Sequence, residues 1–155
     1  MMQSVIEFAK KGGKVFGVCN GFQILCESHL LPGALLRNAN QQFICQNTFI
    51  KDPAGAIFKI PIAHGEGRYH GSPALLDQLE KNNQIIYRYC DEQGQVSEPA
   101  NPNGSARNIA GICNENRNVF GMMPHPERAC SLALNNTDGR SIIQSLLIQS
   151  ELVSP

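Results

Sequence analysis

Several large classes of protein are closed to this 155-residue chain by what it lacks. No apolar run approaches bilayer-crossing length, and the opening MMQSVIEFAKK has no apolar signal-peptide core. No membrane partner is therefore expected, and a cytoplasmic location is. Neither sign of charge is in surplus, with 13 Lys and Arg against 13 Asp and Glu. That balance gives no electrostatic reason to expect nucleic acid. Six cysteines are present but no C-x-x-C, so no metal site is expected. In a reducing compartment Cys26, Cys45, Cys90 and Cys113 read as core thiols; Cys130 takes no role. G-x-G-x-x-G and Gly-Lys-Ser/Thr are both missing, which removes the usual phosphate-binding loops. With no internal repeat and no linker, residues 1–155 read as one domain.

What is present is concentrated in Lys14 to Leu25, KVFGVCNGFQIL. An apolar run delivers Cys19 into G-x-C-x-G, and an amphipathic segment follows at once. This is the cysteine form of a nucleophile elbow, in which a strand turns sharply into a helix with the reactive atom at the bend. Gly17 and Gly21 fit a bend that leaves no room for Cβ atoms. A thiol at a helix N-terminus is biased toward thiolate. Burial as a small hydrophobe is the competing reading of any single cysteine.

Asn118 to Arg128, NVFGMMPHPER, supplies a second half. Pro126 pushes His125 toward extended backbone, and in extended chain residues two apart share a side. His125 and Glu127 then stand as base and orienter for Cys19. His29 is read as packing on the apolar face of the elbow helix, and His70 as part of a polar loop.

Periodicity and breakers predict helices over Gln3–Lys11, Asn20–Leu31, Ser72–Lys81 and Gly139–Leu152, the last burying Ile142, Ile143, Leu146 and Leu147. Strands are predicted at Lys14–Val18, Phe43–Ile50, Ile57–Ile62, Ile85–Cys90, Ile109–Cys113 and Val119–Met122, with Asp91–Asn108 a flexible loop. The expected fold class is α/β.

GVCNGFQIL, LLPGALLRN, IPIAHGEGRY and GMMPHPER together resemble the family of glutaminase subunits of phosphoribosylformylglycinamidine synthase, within the triad-type (class I) glutamine amidotransferases. The resemblance runs from about Gly12 to about Leu147. It implies a flavodoxin-like fold with a mixed, mostly parallel sheet flanked by helices, lacking the family's N-terminal third and its glycine-rich oxyanion loop. An uncovered sheet flank and poor stability of the isolated chain would follow.

The resemblance also implies hydrolysis of L-glutamine to glutamate and ammonia through a Cys19 thioester. His125 and Glu127 complete the triad, and the Asn20 N–H faces the oxyanion. Gln23, one helical turn beyond Cys19, is an implied glutamine contact, and the glycines around His64, Gly65 and Glu66 at a strand end suit backbone bonds to glutamine, although this loop could instead face a partner. Ammonia would pass to a synthetase subunit that binds ATP and magnesium, with a small accessory subunit in the complex and no cofactor on this chain. Two other readings stay open: a truncated remnant that only binds its partner, and another cysteine-elbow hydrolase such as a peptidase or γ-glutamyl hydrolase.

Overall fold

The computed structural model describes residues 2–148. Helix α1 (Met2–Lys10) leads into strand β1 (Val15–Val18) and helix α2 (Asn20–Glu27). Helix α2 stops short of the predicted Leu31 because His29 takes φ 58° and its N–H turns back to the Cys26 carbonyl at 3.0 Å. His29 is therefore exposed beyond the helix end rather than carried on the helix's buried face. Strands β2 (Ala34–Leu36), β3 (Ile44–Lys51), β4 (Ile57–His64) and β5 (Arg68–His70) follow. Helix α3 (Pro73–Lys81) starts as predicted, with the Ser72 hydroxyl accepting from the Leu75 N–H at 3.2 Å. Strands β6 (Ile85–Cys90), β7 (Ile109–Cys113) and β8 (Val119–Met122) and helix α4 (Asp138–Ile148) complete the order. Ile142 and Leu146 of α4 are buried and Ile143 half-buried. The predicted burial of Leu147 and the helix's extension to Leu152 lie outside the described residues.

Among the described residues the main sheet runs β1-β8-β7-β6-β3-β4, with β2 and β5 forming a separate pair. The α/β class is as expected. Parallel pairing, however, is confined here to β1 with β8, and the other neighbours are antiparallel. The tight connections at 52–56 and 114–118 can join only antiparallel strands. Side chains alternate between two apolar layers. Phe22, Leu25, Leu79, Ile85, Ile109 and Val119 pack under α2 and α3. Ile86, Ala110, Phe120, Met122, Ile142 and Leu146 pack under α4. Helices on both faces of a sheet place sites at strand ends, and β1 ends at Cys19.

The β3–β4 hairpin carries the site to completion. Strand β3 meets β4 along Ile44–Lys51 but meets β6 only through Phe49, Ile50 and Lys51. The remaining half of the hairpin is an arm free of β6, and it swings over the elbow. A flat sheet of six strands would hold its edges about 24 Å apart at the usual strand spacing. The contact between β4 and Cys19 therefore requires a curled sheet.

Two predictions are corrected by the polar segments. The stretch 91–108 is a hydrogen-bonded structure rather than a flexible loop. Asn103, Ser105 and Asn108 are buried there. Ser105 Oγ accepts from the Tyr69 N–H and donates to the Ile109 carbonyl, and Asn101 Oδ1 accepts the N–H groups of Gly104 and Ser105. Side chains supply the partners a ladder would otherwise give. Cys45 is exposed on β3 and is no core thiol, whereas Cys26, Cys90 and Cys113 are buried.

Candidate active site

Cys19 sits at the end of β1 with φ 53° and ψ −109°, a strained backbone for a residue with a Cβ. It is held there from both sides. Its N–H donates to the Met122 carbonyl at 2.8 Å, and its carbonyl accepts from the Gln23 N–H at 3.2 Å to start α2. A Cβ on Gly17 would lie 2.6 Å from the Leu25 side chain and 2.7 Å from the Gly21 backbone, so strand and helix touch there. A Cβ on Gly21 would meet nothing, so crowding requires the first glycine of the motif and not the second.

The thiol is half-buried and donates to the Ala63 carbonyl at 3.7 Å. Desolvation by burial raises its pKa above the ordinary thiol value. The Asn20 N–H and the Arg128 charge pull it down, and Glu127 pushes it up. Burial wins, so the resting group is a thiol, contrary to the bias expected from the helix terminus. Its proton must be removed by a neighbour.

That neighbour stands on the same arm. The His125 N–H donates to the Pro61 carbonyl at 2.8 Å, two residues before Ala63 on β4. His125 Nδ1 bonds Glu127 Oε1 at 2.6 Å. The pairing arises differently from the sequence reading. His125 precedes a 3-10 turn, Pro126–Ala129, and that turn, rather than extended chain, brings the carboxylate back to the ring. With Nδ1–H given to the carboxylate, Nε2 is left as a proton acceptor. It is buried and has no partner among the described residues.

The third wall is the end of β4. His64 is buried, with Nδ1 3.0 Å from Asn38 Oδ1. Asn38, fully buried, also accepts from the Gly67 N–H at 3.1 Å and donates to the His64 and Gln42 carbonyls, each at 2.8 Å. Burial, with a smaller contribution from the charge of His125, holds the His64 pKa down to about 4. Gln23 Nε2 donates to the Glu66 carbonyl at 2.6 Å. The Glu66 side chain lies 3.6 Å from Arg37 in an exposed pair. Gln23, His64, Gly65 and Glu66 are thus brought together beside Cys19, with the Gln23 amide engaged on the loop. Asn38 is the residue the sequence reading left without a role; its signal was a lone Arg37-Asn38 dipeptide.

A family profile described as "CobB/CobQ-like glutamine amidotransferase domain" matches residues 1–146. The chain is 52% identical over 158 residues to the phosphoribosylformylglycinamidine synthase subunit PurQ of Moorella thermoacetica, covering 95% of this chain and 67% of that protein. It is 49% identical to the PurQ of Aquifex aeolicus, covering 95% of this chain and 70% of the relative. The chain belongs to the PurQ family. It spans about two thirds of the length of these relatives. A solved structure described as PurLQS from Thermotoga maritima superposes with a TM-score of 0.76 at 36% identity, over 92% of this chain and 65% of that one.

The PurQ-family architecture sets the chemistry the site can perform. A protonated thiol, an oriented imidazole and a backbone N–H beside the sulfur are the groups acyl transfer to cysteine needs. The cysteine, the histidine–glutamate pair and the Gly65–Gly67 loop come from three separate stretches, and the curled sheet brings them together.

Proposed function

We propose that this chain is the glutaminase component of phosphoribosylformylglycinamidine synthase. It hydrolyses L-glutamine to glutamate and ammonia and passes the ammonia to an ATP-dependent synthetase subunit, with a small accessory subunit in the same complex. ATP and magnesium belong to the synthetase in this reading. The observation that carries it is the docking of Cys19 and the His125–Glu127 pair on Ala63 and Pro61 of one strand.

Glutamine enters beside the Gly65–Gly67 loop, whose backbone groups serve its amino and carboxylate ends. The thiol hydrogen turns from Ala63 to His125 Nε2, and the sulfur attacks the carboxamide carbon. The Asn20 N–H faces the oxygen as it gains charge. His125 then gives the proton to the departing nitrogen, and ammonia leaves. Water, deprotonated by the same ring, hydrolyses the thioester and restores the thiol. Throughout, Glu127 holds the tautomer and balances the imidazolium charge.

The test measures glutamate release from L-glutamine by the chain with its synthetase subunit. Cys19→Ser should lower the rate by about 10⁴-fold or more while leaving the circular dichroism spectrum intact. Unchanged turnover in that variant removes the nucleophile assignment. Labelling of Cys19 by a glutamine-like electrophile in preference to a peptide-like one would exclude a peptidase.

A further inference from the structure

Among the described residues, two imidazole nitrogens at this site are buried without a hydrogen-bond partner, His125 Nε2 and His64 Nε2. The mechanism uses the first and leaves the second idle. A buried polar atom without a partner is costly, and it calls for an explanation.

The tautomer of His64 is determined by its neighbours. Asn38 Oδ1 already takes the Gly67 N–H, while Asn38 Nδ2 is committed to the His64 and Gln42 carbonyls. The amide oxygen therefore faces His64 Nδ1, which must carry the hydrogen. Nε2 is then an unprotonated acceptor on the side of the ring away from Asn38. The ring cannot rotate freely, because it lies flat against Gly67, where an added Cβ would collide with Nδ1, Cε1 and Nε2 alike. Its position is next to the chemistry. Ala63, the preceding residue, holds the Cys19 thiol, and the His125 ring is near enough for charge on one ring to oppose charge on the other.

We propose that His64 is a hydrogen-bond acceptor for the leaving nitrogen of glutamine, its Nε2 receiving one N–H of the substrate carboxamide while His125 protonates the same nitrogen. The inference rests on the glutaminase reading above. In the step, the sulfur–carbon bond forms and the carbon–nitrogen bond breaks. The proton that left the thiol travels through His125 to the nitrogen, which departs as ammonia. His64 neither gains nor loses a proton. By holding one N–H it turns the nitrogen lone pair toward His125, and it favours a carboxamide over a γ-ester, whose leaving oxygen has no hydrogen to offer.

The test compares two substrates with the same amino-acid head, L-glutamine and L-glutamate γ-methyl ester, using the chain with its synthetase subunit. In His64→Leu, kcat/KM for glutamine should fall about 10- to 100-fold, with the ester affected less than about 3-fold. His64→Gln, which keeps a neutral acceptor, should recover most of the loss. Equal losses on both substrates, or no recovery in His64→Gln, overturn the proposal and leave the Cys19 assignment standing. A second measurement needs no turnover. In the Cys19→Ala chain, nitrogen-15 spectra should show His64 with Nδ1 protonated and Nε2 bare, and the Nε2 resonance should move on adding L-glutamine but not the ester. A protonated Nε2, or the same shift with both ligands, overturns it as well.

Discussion

The Cys19 thiol donates to the carbonyl of Ala63 at 3.7 Å, although β1, which Cys19 directly follows, and β4, which carries Ala63, occupy opposite edges of one sheet. The half of the β3–β4 hairpin that does not pair with β6 makes this approach possible. The same arm takes the His125 N–H on Pro61, so nucleophile and base share a mount that neither of their own strands provides.

Glu127→Gln tests the orienting carboxylate. Its side chain is about half exposed and bonds His125 Nδ1 at 2.6 Å. Loss of the carboxylate should lower glutamine hydrolysis by roughly 10²–10⁴-fold through the wrong tautomer. Stability should change by no more than about 0.5 kcal/mol, as is usual at exposed positions. Turnover assays beside urea unfolding decide the point, and a stability loss matching the activity loss would refute a catalytic part for Glu127.

Backbone strain at the elbow should be measurable. Cys19 is held at φ 53° and ψ −109°, which glycine adopts readily. Cys19→Gly should therefore raise the unfolding free energy, by about 1 kcal/mol, while abolishing activity. A lower denaturation midpoint in the glycine variant would contradict the strain.

The two glycines of the motif should behave oppositely. Gly17→Ala drives a methyl to within 2.6 Å of Leu25 and 2.7 Å of the Gly21 backbone, and should cost about 2–4 kcal/mol. Gly21→Ala meets open space within α2 and should be neutral or stabilising by up to about 1 kcal/mol. Similar melting curves for the two variants would show that strand and helix do not touch at Gly17.

Stability should depend on pH through His64. Burial holds its folded pKa at about 4 against 6.5 for an ordinary histidine, so the unfolded chain binds the proton first. The contribution is fully present above pH 6.5 and is lost as pH falls through about 4, to a total of about 3 kcal/mol. Glu80, whose pKa is lowered by its hydrogen bonds to Arg88 and Arg107, also weakens the fold at acid pH. The comparison is therefore wild type minus His64→Leu across this window, measured by urea midpoints. Parallel curves would mean that His64 titrates normally.

Local signals made much of this legible. The G-x-C-x-G elbow, the Ser72-Pro73 helix start and the hairpin from Val119 back to Ile109 are each specified by neighbours a few residues apart. The four blocks that resemble the PurQ family predicted the membership the relatives show. What escaped was set by distant contacts. Strands β2 and β5 are three residues long and exist through each other, across Ala34–His70, Leu35–Tyr69 and Leu36–Arg68. The polar stretch around Asn103 reads as loose until Gly67 and Tyr89 appear as its partners. The His125–Glu127 pairing is legible in the sequence but its geometry is not, since Pro126 begins a turn instead of prolonging a strand.

The overhanging hairpin also ties inactivation to a single motion. If that limb lifts, Pro61 releases the His125 amide and Ala63 releases the sulfur together, so both halves of the machinery disengage in one event. Deuterium uptake at the His125 backbone amide and alkylation of Cys19 should then report the same opening equilibrium, with equal response to temperature and denaturant.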